Sequence, residues 1–181
     1  MNSFLKNWIT GNAQCDYRWC SFCSSIGIVY TGVKPAEIIN VSVEQLRRCV
    51  MLRDCIEFKV ITRRKDQLSI FIFNRESMRR SLSNRYALDH LQKLGYPLEF
   101  DVDEYISMLV GKLKGDNLFP HEIGFFLGYP VKDVLGFMNM LNLPHTKTMG
   151  WRMYGDTKES EVLYHKVKNA KNEIVEYALS V

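Results

Sequence analysis

Phe58-Lys59-Val60-Ile61-Thr62 and Leu68-Ser69-Ile70-Phe71-Ile72-Phe73 stand on either side of the charged stretch Arg63-Arg64-Lys65-Asp66-Gln67. Both flanks are rich in β-branched and aromatic residues, which suit a pleated, half-buried surface. The stretch between them has no apolar residue to bury, so the segment predicts an antiparallel hairpin with a polar turn. The fold expected around it is α+β, with a small, mostly antiparallel sheet built on the 58–73 hairpin and helices packed against it.

The remaining chain supplies those helices. Apolar residues recur at helical spacing over residues 4–9 and 17–28, and the two runs are separated by Thr10-Gly11-Asn12. Residues 37–41 are short and β-branched and predict a strand, after which Ser42 is placed to cap a helix running to about Arg53. Asn74 is placed to cap a helix over 75–94 that carries Met78, Leu82, Leu88 and Leu91 on one stripe, with a break possible at Ser83-Asn84. An amphipathic helix follows over 101–114. Two shorter helices over 120–127 and 130–141 each open on a proline, whose missing N–H costs nothing in a first turn. A strand over 149–154 and a final helix over 158–178 complete the reading. No repeat or linker interrupts it, so residues 1–181 are read as a single domain.

Composition bounds the function. A chain of 181 residues with 46% hydrophobic and 24% charged residues can bury a full core without staples, which excludes disorder and fibrous repeats. Charged or amide residues interrupt every apolar run short of membrane-spanning length, and residues 1–8 show no basic-then-apolar secretory pattern, so no membrane partner and a cytoplasmic location are expected. Residues 44–93 carry twelve Lys or Arg against six acids, whereas residues 94–143 carry seven acids against three Lys. That asymmetry reads as complementary faces of one domain.

The five cysteines, at 15, 20, 23, 49 and 55, are an odd set with irregular spacing. Cys20-Ser21-Phe22-Cys23 has the two-residue spacing of metal and redox thiols, but no second pair or His pair accompanies it, and a helix runs through it rather than starting behind it. Buried, reduced thiols without metal are therefore expected. Adjacent His121 and Glu122 point about 100° apart on a helix and do not make an acid/base pair; Glu122 suits the positive end of the helix instead. Phosphate-loop, dinucleotide and common hydrolase signatures are absent.

Gly124, Gly128 and Val134 sit at the offsets of the small residue, turn glycine and apolar contact of a helix-turn-helix unit, so residues 120–141 read as a helix-turn-helix-like pair. Base-reading faces favour Arg, Lys, Asn or Gln, whereas the second helix offers Lys132, Asp133, Gly136 and Asn139. Specific DNA binding is not expected from such a face. The basic run Arg75, Arg79, Arg80 and Arg85 serves equally as a backbone grip or as a solvated helix face.

Phe119-Pro120-His121-Glu122-Ile123-Gly124-Phe125-Phe126-Leu127-Gly128-Tyr129-Pro130-Val131-Lys132-Asp133-Val134-Leu135-Gly136-Phe137 is the most distinctive segment. With Gly150-Trp151-Arg152-Met153-Tyr154-Gly155-Asp156 and Gly32-Val33-Lys34-Pro35-Ala36, it resembles the bacterial family catalogued as domain of unknown function 3793, common in clostridia and related anaerobes. The resemblance implies a tilt toward anaerobic redox or iron physiology, and the expected function is a ligand-binding or accessory protein there, whose partner is a small planar ligand or a redox partner protein. It carries over no catalytic residue, and it names no cofactor. The alternative is a nucleic-acid-binding regulator using the helix-turn-helix-like segment. Within the distinctive runs, His121, Tyr129, Trp151, Tyr154 and Asp156 combine flat aromatic area with polar handles, the ingredients of a cleft for a planar ligand.

Overall fold

The computed structural model describes residues 1–11, 16–115 and 119–180. Its centre is a three-stranded antiparallel sheet of β1 (Ala36–Ser42), β2 (Glu57–Arg64) and β3 (Gln67–Phe73), ordered β1-β3-β2. The expected hairpin is therefore present. Both its strands extend further than the apolar residues alone suggest, leaving only Lys65 and Asp66 between them, with Lys65 at φ 49°. A bulge between Val60 and Thr62 shifts the β2–β3 register.

Strand β3 is central and buried on both faces, which explains its unbroken apolar run better than a half-exposed hairpin would. Side chains alternate across a strand, and here Leu68, Ile70 and Ile72 enter one core while Phe71 and Phe73 enter another. The first core is closed by α1 (Ser3–Thr10), α2 (Tyr17–Tyr30) and α9 (Lys158–Leu179), with Trp8, Trp19 and Phe22 in mutual ring contact. The second is closed by α4 (Arg75–Leu82), α5 (Arg85–Lys93), α6 (Val102–Lys114), α7 (Ile123–Phe126) and α8 (Val131–Phe137).

Helix starts follow the polar residues that precede them. Ser42 and Gln45 form a reciprocal capping box on α3 (Val43–Val50), each side chain satisfying a backbone N–H of the first turn. Asn74 and Asp101 cap α4 and α6. Asn84 accepts from the N–H groups of Tyr86 and Ala87, so a new helix starts there and the 75–94 span divides at Ser83-Asn84. The two proline-led helices are shorter than expected: α7 is a four-residue helix, and α8 ends at Phe137 before Asn139 adopts φ 57°. The strand expected over 149–154 is the second half of a hairpin, β4 (His145–Met149) and β5 (Trp151–Tyr154), that turns at Gly150. Among the described residues no helix is long and apolar enough to cross a membrane.

Candidate functional site

Three stretches far apart in sequence meet beside α9. Gly128 has φ 77°, and a Cβ there would stand 2.6 Å from Pro35 Cδ, so only glycine lets the 127–129 turn lie against the loop leading into β1. The β4–β5 turn brings Trp151 onto Tyr129, with ring centroids 4.7 Å apart and planes 16° from parallel. Tyr164 of α9 stands at a tilt to Trp151, 6.3 Å away. These rings, with Pro35 and Val167, line a cleft of about 370 Å³.

The polar groups of the cleft are unbalanced. Lys34 and Lys171 each place Nζ 3.0 Å from Glu37, on different carboxylate oxygens. Lys34 is 7% exposed, and its ammonium also lies 5.2 Å from the Tyr129 ring centroid. Lys168 stands over Tyr164 and makes no ion pair among the described residues. Burial raises the Tyr129 phenol above its usual pKa, the Glu37 charge adds to the rise, and Lys171 opposes it.

Tyr129 and Trp151 also border a second hollow of about 200 Å³, with Val134, Phe137 and Arg152. Asp133, 2% exposed, lies at its edge. Its carboxylate accepts from Lys132 Nζ at 2.7 Å, Ser160 Oγ at 2.6 Å, Trp151 Nε1 at 2.8 Å and the Tyr154 backbone N–H at 2.9 Å. Burial alone pushes this carboxyl upward, but the four donors together hold it below the usual carboxylate range. Lys132 further donates to the Tyr154 carbonyl and to Ser160 Oγ. A Cβ on Gly136 would stand 2.6 Å from Tyr154 Cγ, so α8 packs directly on that ring.

Of the five residues expected around a planar-ligand cleft, Tyr129 and Trp151 share the same hollows. His121 does not join them; it is exposed, edge-on to Phe137 with centroids 5.0 Å apart, and lines a separate hollow with Lys112, Glu122 and Met138. Tyr154 is buried against Gly136 and contacts His145 edge-on. Asp156 is exposed near the start of α9, where it accepts from the Lys158 N–H. Glu122 stands at the start of α7 without capping it; its buried carboxylate pairs with Lys112 Nζ at 2.7 Å instead. Val134 Cγ2 would stand 2.7 Å from a Cβ on Gly124, as close packing of α7 and α8 requires.

Cys20, Cys23 and Cys49 are buried, and burial pushes the Cys49 thiol up to about 12; Cys55 is exposed, and Cys15 lies outside the described residues. Among the described residues no group of three or more His, Cys, Asp or Glu is arranged to hold a metal ion. Arg75 forks onto both Glu57 and Asp103, and Arg80 donates to Ser77 Oγ.

Sequence reasoning missed Lys34, Glu37, Tyr164, Lys168 and Lys171 as a group. A signal existed, since Tyr164, Lys168 and Lys171 recur at spacings of four and three and so share one face of α9. No curated protein and no solved structure matches the chain significantly. Residues 22–180 match the family described as "Protein of unknown function (DUF3793)", a span that takes in the whole cleft, and the chain belongs to that family.

Proposed function

We propose that the protein is a small-molecule-binding protein whose cleft beside α9 takes a planar ligand. The observation that carries this reading is the convergence of Lys34-Pro35, Gly128-Tyr129 and Gly150-Trp151 on one hollow walled by aromatic rings. Those pairs belong to three separate runs, and each run carries a glycine at positive φ: Gly32, Gly128 and Gly150. Pocket volumes for small molecules start at roughly 300 Å³, so about 370 Å³ suits one ring system with a short substituent.

The DNA-reading alternative draws less support. On α8, Asp133 and Gly136 are buried against β5 and the start of α9, and Lys132 is committed to Asp133, Tyr154 and Ser160. A helix so covered has few side chains left for base edges. In the basic run, Arg75 is already bound to two carboxylates.

Native mass spectrometry of the full chain purified from its own host tests the binding reading. A retained adduct of small-molecule mass is expected, kept by Trp151→Phe and lost from Trp151→Ala. A wild-type protein that carries no adduct, and whose stability no planar compound in a thermal-shift panel raises, overturns it.

A further inference from the structure

We infer that the α9 cleft selects organic anions, namely a flat ring carrying a carboxylate or phosphate group, with Lys168 and the Lys34–Glu37–Lys171 cluster as its charge-recognition element. The inference rests on the planar-ligand reading and adds its charge. Three ammonium groups border the cleft against one carboxylate, so the formal excess there is two positive charges. Glu37 is only 16% exposed and already receives two lysines, one on each oxygen.

Burial makes this excess more than a surface accident. Lysines usually sit at the surface with their ammonium in water, yet Lys34 is 7% exposed and its ammonium is held between Glu37 and the Tyr129 ring. A cation removed from water interacts more strongly with an arriving anion than an exposed one does. Lys168 is exposed on the cleft rim over Tyr164, where it can swing toward a bound group without breaking an ion pair. The rings and the cations are also adjacent: Tyr129 stacks on Trp151 and its ring centroid lies 5.2 Å from the Lys34 ammonium, while the Tyr164 centroid lies 6.3 Å from that of Trp151 and 5.9 Å from Lys168 Nζ. A ring lodged against these aromatics would therefore carry its acid group to the lysines. Lysine presents a compact point charge rather than the planar fork of arginine, so carboxylate and phosphate are both accommodated.

The test is an NMR titration of the 15N-labelled full chain with three probes of one aromatic core: 1-naphthoate, 1-naphthalenemethanol and 1-naphthylmethylammonium. Naphthoate is expected to shift the amides of Tyr129, Trp151 and Tyr164 and to bind roughly tenfold more tightly than the alcohol, with the ammonium weakest and the advantage shrinking as salt is raised. Lys168→Gln should narrow the gap between naphthoate and the alcohol about two- to threefold. Glu37→Gln, which removes the competing carboxylate, should widen it. Equal binding of naphthoate and alcohol at those amides overturns the anion selectivity while leaving a planar-ligand cleft in place. An unchanged gap in both variants overturns the assignment to these lysines. Shifts at those amides from none of the three probes overturn the planar-ligand reading itself, and the selectivity with it.

Discussion

Asp133 and Glu37 line the two hollows that share the Tyr129–Trp151 stack, and the fold treats the two carboxylates differently. Asp133 receives one lysine and three neutral donors, so its charge is balanced and both oxygens are bonded within 2.9 Å. Glu37 receives two lysines, and a third stands on the rim without a carboxylate of its own. A buried ion that is paired and fully bonded joins the elements around it, here α8, β5 and α9. One placed among surplus cations leaves charge for something that arrives later. The contrast separates a structural joint from a candidate recognition site, although one indole belongs to both.

Breaking the joint should cost most. Asp133→Ala would leave Trp151 Nε1 and the Tyr154 N–H without their acceptor and Lys132 without its counter-charge, and removing one partner of a buried ion pair costs about 3 to 5 kcal/mol. Lys132 keeps a quarter of its side chain exposed, which places the expectation near the lower figure. Urea unfolding monitored by circular dichroism checks it, and a loss below about 1 kcal/mol would show that the joint is no stronger than a surface pair. Gly136→Ala should come next. Its Cβ would meet the base of the Tyr154 ring, and that residue is anchored by its own N–H on Asp133, so about 1 to 3 kcal/mol of overpacking is expected in the same assay.

Acid sharpens the comparison along another axis. The Asp133 carboxyl is held below its ordinary pKa when folded, so its contribution is complete above the unfolded value of about 4. It is lost as pH falls from there through the lower folded value, because the unfolded chain takes up the proton first. Between pH 6 and pH 3 the stability of wild type should fall more steeply than that of Asp133→Asn. Parallel profiles would show that this carboxyl is not the linked group.

How much of this was legible follows from the range of each interaction. The hairpin, the Ser42 and Asn74 caps and the Asp101 start depend on neighbours within a few residues, so their patterns are written locally. Polar β4, His145-Thr-Lys-Thr-Met149, has no apolar alternation and becomes a strand only because Gly150 folds β5 back onto it. At the site, Tyr129 and Trp151 were legible as aromatics in distinctive runs. Asp133 reads from sequence only as an acid on a helix ill-suited to base edges, because its partners Trp151, Tyr154 and Ser160 lie 18, 21 and 27 residues away. The Glu37–Lys171 pair spans 134 residues, beyond any local pattern. His121 reads as a polar handle in the same distinctive run as Tyr129, but the structure places it at another hollow.

The smallest expected effect is the most discriminating, because one chemical change is made in both regions. Lys132→Gln removes the ammonium that balances a carboxylate 1% exposed, and a neutral amide cannot replace its charge, so about 2 kcal/mol or more should be lost. Lys168→Gln removes a cation that is exposed and outside any ion pair among the described residues, with only a 5.9 Å approach to the Tyr164 ring. Surface changes of that kind stay within about 0.5 kcal/mol. If Lys168 is retained for recognition, its replacement should leave the urea midpoint in place while narrowing the preference for anions. A Lys168→Gln chain destabilised as much as Lys132→Gln would mean that the rim lysine is structural too, and the distinction between the two carboxylates would collapse.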